Sequence, residues 1–141
     1  MLAIILTVIT AGFILERVLH YLNRKNQQTT VPHEMKDIYA DDVYKKSIAY
    51  EMANSNFENI TSAFGFILTV TLIITGFFAW LDEWTKTISA DLVWSTLLFF
   101  GVMAIASDML NMPFSLYKTF VIEERFGFNR TTLKLYFVDK I

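Results

Sequence analysis

Three apolar runs dominate the chain and decide what it can fold into. Met1–Leu22 opens with fifteen residues free of charge, MLAIILTVITAGFIL, before Glu16 and Arg17. Residues 60–81 (ITSAFGFILTVTLIITGFFAWL) carry no charge at all, and 92–113 carry only Asp108. Crossing the hydrocarbon core of a bilayer takes about 20 mostly apolar residues in a helix. Each run meets that length, and together they use nearly half of the 141 residues. Backbone polar groups have no water to bond in lipid, so such runs must close their own hydrogen bonds as helices. The fold class is therefore all-α, an integral membrane protein of three transmembrane helices with cytosolic amphipathic segments between and after them. A soluble enzyme, a disordered tail and a nucleic-acid binder are excluded. The net charge of −2 offers no basic surface. The absence of Cys removes disulfides, thiol nucleophiles and thiolate metal sites.

The runs divide the chain into transmembrane helix 1 (1–22), a polar segment (23–59), transmembrane helix 2 (60–81), a short loop (82–91), transmembrane helix 3 (92–113) and a cytosolic elbow with the start of another helix (114–141). Helix 1 lacks the basic lead and small-residue cleavage site of a signal peptide, so it reads as an uncleaved span. In the polar segment Asp41 and Asp42 suit a helix start. Tyr44, Ile48 and Met52 then recur every fourth residue, with Val43, Tyr50 and Phe57 on neighbouring faces, which predicts a packed amphipathic helix. Gly65, Gly76 and neighbouring Ser, Ala and Thr residues allow close helix approach in lipid. Pro113 should end or kink helix 3. Trp80, Trp84 and Trp94 cluster about the short loop and place it at one headgroup layer. Five basic residues lie between helices 1 and 2, five after helix 3, and only Lys86 in the loop. The positive-inside rule then puts both basic segments in the cytosol and the N-terminus outside. On that reading the sequons at Asn59 and Asn129 escape glycosylation.

Few residues suggest chemistry. His33-Glu34-Met35-Lys36-Asp37 is a faint likeness of a zinc-protease helix, but Pro32 precedes it and the only other His is His20. A zinc site needs about three protein ligands, and a solvated loop is the favoured reading. Asp108 stands out because an ionisable group within a span usually faces protein or water. It either lines an aqueous cavity or sits at the interface, within reach of Lys118 or a headgroup. Glu16 and Arg17 lie at a comparable depth and invite partners across helices. In the last segment Gly127 between two Phe residues marks a turn with φ > 0. Asn129 or Thr131 can cap a helix carrying Leu133, Leu135, Phe137 and Ile141. Glu123 and Glu124 are adjacent and diverge on a helix, so they make a poor acid–base pair.

The run TFVIEERFGFNRTT nevertheless resembles, closely, the elbow of the CaaX prenyl protease family of integral-membrane zinc metalloproteases. The matching positions are Thr119, Phe120, Ile122, Glu123, Glu124, Gly127, Phe128, Asn129, Thr132, Phe137 and Asp139. The spacing Pro113…Tyr117 fits as well, and so do Pro32-His33-Glu34, Lys46…Tyr50 and Phe57 upstream. One departure stands beside Ala53: near Asn54 the family usually carries a Lys. The resemblance implies membrane helices around an internal chamber and a zinc-dependent catalytic domain with a His-Glu-x-x-His motif and a downstream Glu ligand. It implies cleavage of prenylated peptides or, in bacteria, of misfolded membrane proteins. That motif is absent here, so the expected role is chamber wall and anchor. The chain itself would bind no cofactor and be inactive alone, zinc belonging to the full-length protein. Its partners would be the lipid bilayer and the missing C-terminal catalytic and membrane region of the same protein, with no nucleic acid. A half-formed amphipathic helix at Val138-Asp139-Lys140-Ile141 predicts further chain. A bacterial inner membrane is the favoured location and the endoplasmic reticulum the alternative. The competing class is a non-enzymatic three-helix scaffold or partner subunit. A transporter fragment fits less well, because paired inverted segments with broken helices are lacking.

Overall fold

The computed structural model describes residues 1–26 and 41–139. The described residues form helices α1 (Leu2–Asn26), α2 (Asp41–Ile74), α3 (Phe77–Ile88), α4 (Leu92–Tyr117) and α5 (Leu133–Val138), with a π-helical stretch, Lys118–Glu123, continuing α4. Three stretches are long and apolar enough to cross a membrane: Leu2–Asn26, Asp42–Ile74 and Leu92–Glu123. Their surfaces are those of a protein solvated by lipid. Among the described residues only Leu81, Ile122, Thr85 and Ser95 are buried, while side chains such as Ile4, Ile67 and Phe100 stay more than 60% exposed. Water would not tolerate that much contiguous apolar surface on a folded chain.

The backbone draws its elements differently from the hydropathy. No helix end falls between residues 59 and 60; α2 runs unbroken for 34 residues, about 51 Å at 1.5 Å per residue. The change from polar to apolar side chains there alters the solvent, not the backbone, and extending a helix costs far less than starting one. The expected second span instead breaks inside, at Thr75-Gly76. Thr75 Oγ1 donates back to the Thr71 carbonyl at 2.8 Å, competing with the main-chain ladder. Gly76 then turns left-handed at φ 72°. This is the use of Gly76, since no atom lies within 4 Å of a β-carbon built there or on Gly65.

After this break α3 carries on beyond α2 and packs along α4, the chain reversing between Ile88 and Leu92. Thr85 and Ser95 are the buried small residues of that contact, and each hydroxyl is satisfied by its own helix, at Asp82 O (2.9 Å) and Leu92 O (3.2 Å). Small residues let helix backbones approach closely in lipid. Asp91 starts α4 by accepting the Val93 and Trp94 N–H groups at 2.9 and 3.1 Å. Trp80 and Trp84 stack at 6.5 Å on the outer face of α3. Pro113 neither ends nor interrupts α4, which continues to Tyr117; the departure from α geometry comes five residues later, in the π-helical stretch.

Candidate functional site

The elbow is built from the end of α4 outward. The π-helical stretch holds Thr119, Phe120, Ile122 and Glu123, and buries Ile122. Such stretches are rare and recur at functional sites. The chain stops being helical at Phe126-Gly127. The Glu123 carbonyl receives the N–H groups of Phe128 (2.9 Å) and Asn129 (3.3 Å), and the Glu124 carbonyl that of Gly127 (3.0 Å). Gly127 closes this cap at φ 71°. Asn129 Nδ2 donates to the Glu124 carboxylate at 2.8 Å, and Asn129 Oδ1 accepts from Thr131 N–H at 2.7 Å. The cap of α5 is Thr132, one residue beyond the expected candidates, with its hydroxyl oxygen 3.3 Å from Leu135 N. Asn129 serves the turn instead. Phe137 is exposed at 45%, and Asp139 closes α5 through its N–H to the Leu135 carbonyl at 2.9 Å.

The long α2 clamps this elbow. The Tyr50 ring meets Phe126 at 5.5 Å and Phe128 at 4.7 Å. Lys46 Nζ lies over the Phe128 ring at 5.6 Å and 3.7 Å from a β-carbon built on Gly127. Phe57 stacks on Tyr117 at 5.2 Å, and Phe64 meets Phe114 at 5.1 Å. Lys118 reaches Glu58 at 3.6 Å, the ion pair that the structure records for a residue expected within reach of Asp108. Asp108 itself sits on the exposed flank of α4 with Ile105 and Met109. It does not line the apolar slot of about 340 Å³ between α2 and α4.

A second polar constellation joins α1 to α2. Arg17 hydrogen-bonds Asn59 across the helices and reaches Glu16 at 3.2 Å. Arg24 bonds Asn56 at 2.8 Å. One turn inward, Phe13 and Phe66 stack at 4.2 Å. Arg17, His20 and Arg24 recur at i, i+3 and i+7, the spacing of one helix face. That periodicity was the available signal for a seam that hydropathy alone reads only as an interruption.

The His33–Asp37 segment lies outside the described residues. Among the described residues no three His, Asp or Glu side chains come together as a metal site; the two His of the sequence, His20 and His33, lack the i, i+4 spacing that puts two ligands on one helix face.

These features define a polytopic helical membrane protein with a structured elbow at one membrane face. The chain belongs to the family of CAAX prenyl protease N-terminal regions, a family with five membrane helices, which matches residues 20–141. It is 34% identical over 110 residues to a CAAX prenyl protease 1 homolog of Caenorhabditis elegans, covering 78% of this chain and 24% of that protein. It is 31% identical over 139 residues to a probable CAAX prenyl protease 1 of Schizosaccharomyces pombe, covering 84% of this chain and 29% of the relative. The crystal structure of S. mikatae Ste24p superimposes at a TM-score of 0.87 with 29% identity, over 99% of this chain and 34% of that one. The chain thus spans between a quarter and a third of the length of these proteins. The named relatives are eukaryotic, and none of them supports a bacterial inner membrane.

Proposed function

We propose that this chain is the membrane-embedded N-terminal portion of a zinc metalloendopeptidase of the CAAX prenyl protease type, and that it forms anchor and chamber wall there. The observation that carries this reading is the likeness of almost the whole chain to one third of Ste24p, with the elbow braced as a rigid unit on α2. A simple three-helix anchor has no need of an elbow fixed by two rings, an ion pair and a left-handed glycine. The remaining two thirds of the protein would supply the zinc ligands and the peptide-cleaving groups, and the elbow would be one surface they rest on. The basic ends of α1, α2 and α4 face the cytosol and the Trp-bearing α3–α4 turn faces the opposite side, in an internal eukaryotic membrane such as the endoplasmic reticulum.

The test is prenylated-peptide cleavage by the full-length protein in proteoliposomes, with and without Gly127→Val. Zinc-dependent cleavage that the substitution reduces supports the reading. A full-length protein without His-Glu-x-x-His and without cleavage favours the alternative, a non-enzymatic scaffold or partner subunit.

A further inference from the structure

The slot of about 340 Å³ between α2 and α4 has walls that run from Thr61 to Leu72 on one helix and from Met103 to Phe114 on the other. Each wall is about 17 Å long at about 1.5 Å per residue. The charge-free run of α2 begins at Asn59. Thr61 therefore lies about 3 Å, and Leu72 about 20 Å, inside a hydrocarbon core about 30 Å thick. The Lys118–Glu58 pair sets the end of α4 at the same border. The slot thus lies wholly at the depth of lipid tails.

Aromatic spacers hold it open at both ends. Near the elbow the Phe64 ring meets Phe114 at 5.1 Å. At the far end Phe77 and Phe78, the first residues of α3, line the slot with their rings 6.1 Å apart. Between these ends the backbones of α2 and α4 stand apart, α3 being the element that packs on both. Gly65 leaves the α2 wall open, with no atom within 4 Å of a β-carbon built there.

The lining is predominantly apolar and includes no charged residue. Thr61 Oγ1 donates to the Glu58 carbonyl at 3.1 Å. Asn111 Nδ2 donates to both Ser107 oxygens, at 2.9 and 3.3 Å. Thr69 is the remaining polar residue of the walls. An apolar cavity stays dry, and an empty one forfeits the dispersion contacts of its lining. An apolar occupant is called for, and the width selects it. Spread along about 17 Å, the 340 Å³ gives a cross-section of about 20 Å², about 5 Å across. A helix with its side chains is about 10 Å wide and does not enter. A single hydrocarbon chain, whose carbons meet neighbours at about 4 Å, does.

We propose that this slot binds one acyl chain of a membrane lipid, laid along α2 and α4 between the two pairs of rings. With no charge in the lining, the site selects the chain and not the headgroup. The inference rests on the membrane spans and not on the protease reading.

Photolabelling of the intact full-length protein tests it, with a phosphatidylcholine that carries a diazirine in mid-chain and peptide mapping by mass spectrometry. The protein is first washed in detergent to strip loosely held lipid. The expected result is labelling of Leu68 on α2 and of Met103 on α4 together, since a chain in the slot touches both walls. Gly65→Leu and Ala106→Phe fill the slot from opposite sides, and each abolishes that labelling while labelling elsewhere on the protein persists. Replacing phosphatidylcholine by phosphatidylglycerol with the same chains changes nothing. Absence of label from the two walls of the unaltered protein overturns the proposal, and so does labelling that survives both substitutions. Rapid modification of Gly65→Cys by a water-soluble maleimide would show water in the slot and overturn it as well.

Discussion

Gly127 shows how much of the elbow rests on single residues. Its φ of 71° is one that a β-carbon resists, at about 1–2 kcal/mol for an ordinary residue. Gly127→Val should lower the thermal midpoint of the detergent-solubilised protein, and Gly127→Asn, which tolerates that conformation, should recover most of the loss. Asn129 ties the Glu124 carboxylate to the Thr131 backbone through its two side-chain bonds. Asn129→Ala should cost about 1–3 kcal/mol, since one of the two is to a charged group. Across the α1–α2 seam, a double-mutant cycle of Arg17→Leu with Asn59→Leu should give a coupling of about 0.5–3 kcal/mol in thermal unfolding; additive losses would mean that the pair contributes nothing as a pair. The turn at Gly127 and the polar face of Arg17, His20 and Arg24 are legible as residue patterns. The capping choice among Asn129, Thr131 and Thr132 is not, because all three side chains suit the role and only the path of the backbone selects one.

At the scale of elements, α2 acts as a mast. Its 34 residues exceed the roughly 20 needed to span a membrane, and the excess holds the elbow with Tyr50 and Phe57. Aromatic pairs of this kind contribute about 0.5–1.5 kcal/mol each beyond the area they bury. Phe57→Ala should free the elbow locally and speed trypsin cleavage at Arg125 and Arg130, with α1 and α3 unaffected. The exposed Lys118–Glu58 pair should matter less, within about 1 kcal/mol. Hydropathy divides α2 where its solvent changes and misses the break at Gly76, where the composition stays apolar. The apolar positions Tyr44, Ile48 and Met52 stand out in the sequence, yet the recorded ring contacts to the elbow come from the neighbouring positions Tyr50 and Phe57. Adjacent helix faces differ little in a pattern; the partner's position decides which one packs.

For the whole molecule, the proposed sidedness predicts that reporters fused at Lys25 and at Lys86 fall on opposite sides of the membrane. A chamber wall further predicts a stripe along α4 in the full-length protein, with Asp108→Cys modified rapidly by a water-soluble maleimide and Leu97→Cys protected. Uniform protection would leave Asp108 at a lipid or protein surface and count against a water-filled chamber on that side.

Solvent and tertiary contact divide what was legible from what was not. The amino-acid sequence alone determined the membrane class, the number of apolar spans and the place of the elbow, because transfer of side chains into lipid and the conformational demand of glycine act locally. It could not determine that α2 passes unbroken from one solvent to the other, that the helix breaks at Gly76 before α3 packs on α4, or that Arg17 meets Asn59 and Tyr50 meets Phe128. Those are meetings between segments distant in the chain, and their geometry exists only once the helices have packed.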